Sequence, residues 1–167
     1  MDETSGERQA QAQRPRVLFL CTHNSARSQM AEGLLRRLSG GGAAAFSAGT
    51  EATRVRPLAI RAMAELGIDI SGQESKSLAR YLAEPFDAVI TVCDDANEAC
   101  PMFPGGKRRL HWSFPDPSKA TGPEEEQLAV YRAVRDAIRR RIEEELLPQL
   151  GVSPGQLRAS PHQEQGR

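Results

Sequence analysis

Cys21-Thr-His-Asn-Ser-Ala-Arg27-Ser28 sets five residues between a cysteine and an Arg-Ser pair, directly after the apolar run Val17-Leu18-Phe19-Leu20. A cysteine at the junction of a strand and a helix can act as a thiolate nucleophile beneath a bound oxyanion. Unpaired N–H groups and the positive end of the helix dipole favour the thiolate there. The same N–H groups, from Thr22, His23, Asn24, Ser25, Ala26 and Arg27, can cradle a tetrahedral anion above the sulfur. Arg27 adds a planar fork matched to two anion oxygens, and Ser28 can donate a hydrogen bond to the sulfur. A lone cysteine ending a core strand is often inert. The complete octad, with its strand before and a helix after, argues for chemistry.

A second constellation is Cys93-Asp-Asp-Ala-Asn-Glu-Ala-Cys100-Pro101. Its spacing is not that of a zinc site, and no metal is expected. Two incidental small hydrophobes are one reading. However, Asp94, Asp95, Asn97 and Glu98 make the segment too polar for core, so exposed cysteines acting as redox partners are the better one. With Asp94 as N-cap, residues 95–100 would be helical, and Cys93 and Cys100 would stand roughly 10 Å apart along the axis. A disulfide needs α-carbons within about 7 Å, so pairing them requires the segment to rearrange. Further on, His111-Trp-Ser-Phe-Pro-Asp116-Pro117 places a carboxylate after a strand. Asp116 is open to two readings, a catalytic acid for a leaving oxygen or an ordinary turn residue.

These residues need a scaffold, and the chain's 167 residues suit a single domain. Residues 1–14 and 151–167 are polar and read as tails around a catalytic domain at 15–150. Acidic and basic residues balance without long blocks, which argues against nucleic acid or an anionic membrane as partner. No run approaches the ~20 apolar residues of a membrane span. There is no secretory leader pattern, and an odd count of three cysteines fits a reducing cytoplasm.

Strand and helix patterns alternate between the tails. Strands are expected at Arg16–Cys21, 43–48, 86–92 and 107–114. Helices are expected at 25–38, from Pro57 to Leu66, at 77–83, and from Pro123 to about Leu147. That order argues for an α/β fold, a four-stranded parallel sheet with helices on both faces. Ligands of such sheets bind beyond the carboxyl ends of the strands. Cys21 and Cys93 end two of them and should share that edge.

Together the segments resemble the thioredoxin-coupled arsenate reductases, built on the low-molecular-weight protein tyrosine phosphatase fold. The resemblance rests on Val17–Gly33, Ser47-Ala-Gly-Thr50, Gly67-Ile-Asp-Ile-Ser71, Cys93-x6-Cys-Pro101 and His111-Trp-x-Phe-x-Asp-Pro117, covering nearly all of residues 16–145. Phosphatases of this fold usually have Pro after Arg-Ser, a second loop cysteine, and Tyr after Asp-Pro. Gln29, Ala26 and Ser118 stand there instead.

The resemblance implies that Cys21 attacks arsenate held by Arg27 and the loop, with Asp116 assisting loss of water. A Cys21–Cys93 disulfide then forms as arsenite leaves, followed by a Cys93–Cys100 disulfide that thioredoxin reduces. It implies no organic cofactor, and a monomer is expected. Some members hold potassium with an Asn, a Glu, a Ser and an Asp. Asn24, Glu32 and Ser47 match, but Lys76 takes the Asp position, so no potassium site is expected and Asn24 is assigned to holding the loop. A phosphatase acting on phosphotyrosine or aryl phosphates is the competing reading, and an arsenic-sensing binding protein is a third. Glutaredoxin with glutathione, or mycothiol, stays open as electron donor.

Overall fold

The structure, a computed structural model, describes residues 14–94 and 101–154. The expected helix at 95–100, with Cys100 in it, and most of both expected tails lie outside the described residues.

Four parallel strands form one sheet in the order β2-β1-β3-β4: β1 Arg16–Cys21, β2 Ala44–Gly49, β3 Ala88–Thr91 and β4 Arg108–His111. β1 lies between β2 and β3, with Cys21 opposite Gly49 and Leu20 opposite Thr91. Neighbouring connections leave β1 in opposite directions, which opens a crevice at its carboxyl end. Cys21 stands at that crevice.

Alternation along the strands builds two cores. Val17, Phe19, Ala88, Ile90 and Val92 face α1 (Arg27–Leu38), α2 (Pro57–Ala64) and α3 (Glu124–Arg141). Leu18, Leu20 and Val89 face the other way. Among the described residues that side is covered by Tyr81 of a 3₁₀ turn, Leu78–Tyr81, with Phe86 and Phe103. Phe46, Tyr81, Phe86 and Phe103 meet edge to face with centroids 5.5–6.0 Å apart, the geometry that ring quadrupoles favour.

Several elements are shorter than their patterns suggest. α1 begins at Arg27 because Ser25 and Ala26 belong to the loop. The turn at Leu78–Tyr81, capped by Ser77, replaces the expected helix at 77–83. β4 ends at His111, where β3 ends, and the last pairing bond runs from the Trp112 N–H to the Thr91 carbonyl, 2.8 Å. Trp112 then turns into the core against Phe19 and Phe114, centroids 6.3 and 6.5 Å away. The last helix widens into a π turn at Ile142–Leu146, where Leu147 N–H donates back to Ile142. Pro148, which has no N–H to give, is the second residue of the closing α4, Leu147–Leu150.

Gly49 is the tightest contact between scaffold and loop. A β-carbon there would stand 2.6 Å from the Thr22 carbonyl, 2.8 Å from the Asn24 nitrogen and 2.8 Å from the Cys21 carbonyl. All three are backbone atoms and cannot swing aside. Gly49→Ala is therefore expected to destabilise the fold by roughly 2–4 kcal/mol, more than ordinary overpacking. Urea unfolding of the two proteins checks this, and an unchanged midpoint would refute it.

Candidate active site

The loop from Cys21 to Arg27 is held from outside by its carbonyls. Thr22 accepts from the Glu51 N–H at 2.9 Å and His23 from the Ser75 hydroxyl at 3.0 Å. Asn24 accepts from the Gln29 amide at 3.0 Å, Ser25 from the Arg56 N–H at 2.9 Å, and Ala26 from the Met30 N–H at 2.8 Å. Among the described residues the N–H groups of His23, Asn24, Ser25 and Ala26 have no protein acceptor. Carbonyls tied outward and N–H groups left over give the start of α1 the donor arrangement that an anion nest requires.

Asn24 has φ of 51°, the left-handed region that Asn tolerates better than most residues. Its side-chain oxygen accepts from the Lys76 main-chain N–H, 2.7 Å, and from Gln29, 2.8 Å. A main-chain N–H can only donate, so the amide NH₂ must face the other way, towards the Ser28 hydroxyl at 2.8 Å. Ser28 Oγ also lies 2.8 Å from Cys21 Sγ. With Asn24 donating into its oxygen, the hydroxyl hydrogen is directed at the sulfur. The chain of donors from Lys76 through Asn24 and Ser28 thus ends on the Cys21 sulfur.

Arg27 is buried and spans the crevice. One nitrogen donates to the Phe114 carbonyl at 3.2 Å and another lies 3.7 Å from Asp116 Oδ2. Asp116 Oδ1 is occupied by the Ser118 N–H (2.9 Å) and hydroxyl (2.7 Å), as the cap of a short 3₁₀ turn, Pro117–Lys119. Asp116 is therefore both a turn residue and a carboxylate at the site, its second oxygen turned towards Arg27.

Cys93 departs from expectation. It is 0% exposed, not a surface cysteine, because Val92 and Cys93 fold onto the helix-covered core beyond β3. Its Sγ lies 4.0 Å from the carbonyl of Leu20, the residue before Cys21. Cys21 and Cys93 thus occupy one buried cluster.

The Lys76 ammonium is buried, donates to the Glu74 carbonyl at 2.6 Å and stands 3.5 Å from Glu32 Oε1. Glu32 also accepts from Ser47 at 2.5 Å and from Arg36 at 2.7 Å. The ammonium occupies the surroundings of Glu32 and Ser47, and Asn24 works through its amide as a loop brace. Gln29, Gly49 and the Phe114 carbonyl were not singled out as working parts from sequence. All three nevertheless lie in the stretches that carry the resemblance, Gln29 in Val17–Gly33, Gly49 in Ser47-Ala-Gly-Thr50 and Phe114 in His111-Trp-x-Phe-x-Asp-Pro117.

A sequence profile of the low molecular weight phosphotyrosine protein phosphatases matches residues 16–153. The chain belongs to this family. Its relatives include an arsenate reductase of Halalkalibacterium halodurans, 49% identical over 126 residues, or 75% of this chain and 91% of the relative. A solved arsenate reductase in its phosphate-binding state superposes with a TM-score of 0.67 at 36% identity, covering 81% of this chain and 98% of that one. A thioredoxin-dependent arsenate reductase of Corynebacterium glutamicum gives 0.55 at 27% identity, covering 87% and 73%. Within the family the chain groups with arsenate reductases, on the four-stranded parallel scaffold expected from its sequence.

Two substitutions test this geometry. Ser28→Ala removes the donor to Cys21 and is expected to slow thiolate chemistry, read as iodoacetamide alkylation near neutral pH, by about tenfold. An unchanged rate would show that the serine does not act on the sulfur. Lys76→Met leaves Glu32 short of a buried partner and should cost roughly 2–4 kcal/mol in urea unfolding. A neutral result would mean that Arg36 alone suffices.

Proposed function

We propose that this protein reduces arsenate to arsenite by a relay of Cys21, Cys93 and Cys100, with thioredoxin as electron donor, in the cytoplasm. The observation that carries this reading is the placement of Cys93 Sγ against the carbonyl preceding Cys21. Hydrolysis needs the loop and an acid; it does not require a thiol at the end of β3, outside the loop and in the same buried cluster as Cys21. The names of the relatives point the same way, as does the thioredoxin-dependent neighbour.

In the proposed sequence the Cys21 thiolate attacks arsenic while the loop N–H groups and Arg27 hold the oxygens. A proton from Asp116 goes to the departing hydroxyl, which leaves as water. The Cys93 thiolate then attacks Cys21 Sγ. The sulfur–arsenic bond breaks, its electron pair stays on arsenic, and arsenite leaves behind a Cys21–Cys93 disulfide. Cys100 attacks Cys93 Sγ and frees Cys21, and the resulting Cys93–Cys100 disulfide is reduced by the donor's dithiol. The loop, Arg27 and Asp116 also suffice for phosphoester hydrolysis, so slow turnover of an aryl phosphate accompanies the reductase activity.

Arsenate-dependent NADPH consumption with thioredoxin and thioredoxin reductase tests the reading, repeated with glutaredoxin and glutathione to assign the donor. Cys21→Ser should abolish both reduction and aryl phosphate hydrolysis. Cys93→Ser and Cys100→Ser should each stop multiple turnovers of reduction yet leave hydrolysis within about threefold of wild type, because transition-state stabilisation by the loop is untouched. If both resolving-cysteine variants reduced arsenate normally, the relay would be refuted and the phosphatase reading favoured.

A further inference from the structure

Beside the catalytic loop lies a recess of about 290 Å³, lined among others by Arg56, Ser118, Gln127 and Tyr131. It adjoins the acid, since Ser118 holds Asp116 by two hydrogen bonds. It also adjoins the cradle, since the Arg56 main-chain N–H donates to the Ser25 carbonyl, 2.9 Å. Tyr131 reports how close the charges are. Burial pushes its phenol up first, while the Arg56 cation pulls it down and the Asp116 carboxylate pushes it up. Both charges therefore act on a phenol that lines the recess with Arg56.

The charges around the cradle pose a problem for a dianion. Arg27 is 3% exposed and already engaged with Phe114 and Asp116, so it meets the substrate only after the substrate has entered. The groups nearer solvent include Asp116 and exposed Glu51, both acidic, and Glu51 pairs with His23 at 3.2 Å. Arg61, which shares the recess, is paired with Glu124. Arg56 is exposed and forms no ion pair among the described residues.

We propose that Arg56 is the substrate-capturing cation, which holds the incoming arsenate or phosphate dianion at the Asp116 side of the loop and passes it to the Cys21 cradle. Arg56 is a positioning residue: it offsets the acidic groups that would otherwise repel the anion, and it takes no part in bond making. Its anchoring to Ser25 runs through the main chain, so replacing the side chain leaves the loop tie in place. The proposal takes its substrate from the arsenate reductase reading, but its decisive measurement needs no turnover.

That measurement is the affinity for inorganic phosphate, read by titration calorimetry at low and high sodium chloride. Arg56→Ala should weaken phosphate binding roughly five- to tenfold at low salt and flatten its salt dependence, as loss of one uncompensated steering charge predicts. In arsenate turnover KM should rise by the same factor with kcat within about twofold, and Arg56→Lys should restore most of it. Arg54→Ala removes the same charge two residues away without touching the recess and should change little. Unchanged phosphate affinity in Arg56→Ala, a fall in kcat at constant KM, or equal losses in Arg54→Ala would each overturn the proposal. A wild-type protein that binds phosphate but reduces no arsenate would refute the reductase reading while the phosphate series still judged Arg56.

Discussion

Asn24 stands at a positive φ with its side-chain oxygen held by the Lys76 main-chain N–H, and the working parts of the loop depend on that amide facing one way. Turned over, it would set an NH₂ against a main-chain N–H, and an oxygen against Ser28. Each buried donor or acceptor left unmade costs about 1–3 kcal/mol, so the flipped state is scarcely populated. One amide orientation thus decides where the Ser28 hydrogen points, and so what Cys21 feels. The same residue fixes the backbone turn that leaves the loop N–H groups facing inward. The cost of an unusual φ is met by contacts that use both ends of the side chain.

The supports of that amide carry charge, and their layout explains why they can be buried. Lys76 contributes its main-chain N–H to Asn24 and its ammonium to Glu74 and Glu32. Glu32 in turn collects Ser47 from β2 and Arg36 from its own helix. A buried carboxylate is tolerable only with such company. The arrangement joins β2, α1 and the 74–76 segment at one point behind the loop. On the front side Arg27 performs the matching task. Its guanidinium ties the Phe114 carbonyl and Asp116 to the loop, and Trp112, packed on Phe19, holds that segment against the core.

The strands, the long helices and the octad were legible because apolar periodicity and a local motif record them directly. Strand ends were not. β4 stops at His111 because its partner β3 stops, a fact of pairing rather than of the residues Trp112–Phe114 themselves. The π turn before Pro148 is likewise a compromise between continuing apolar contacts, Ile142 and Leu146, and a missing donor. The burial of Cys93 was hidden by its acidic neighbours, since composition averages over a segment whose first residue still belongs to the core. Arg56 carried no sequence signal of its own. It gains meaning only when Ser118 and Tyr131, far along the chain, are brought beside it.

The burial of Cys93 gives the proposed relay a physical reason for a third cysteine. Transfer of a sulfur–sulfur bond from Cys21 to Cys93 is best done where water cannot reach the arsenic-bound sulfur, and both residues lie in the closed core cluster. A disulfide formed there would be out of reach of a reducing protein, whose own thiolate must approach one sulfur along the line of the bond it breaks. Opening the core to admit it would disturb Trp112 and Phe114, which pack in the same cluster and whose segment Arg27 ties to the loop. A cysteine seven residues further along the chain from Cys93 avoids this. In the proposed relay that cysteine takes over the oxidised state, so the described core around Cys21 and Cys93 need not open.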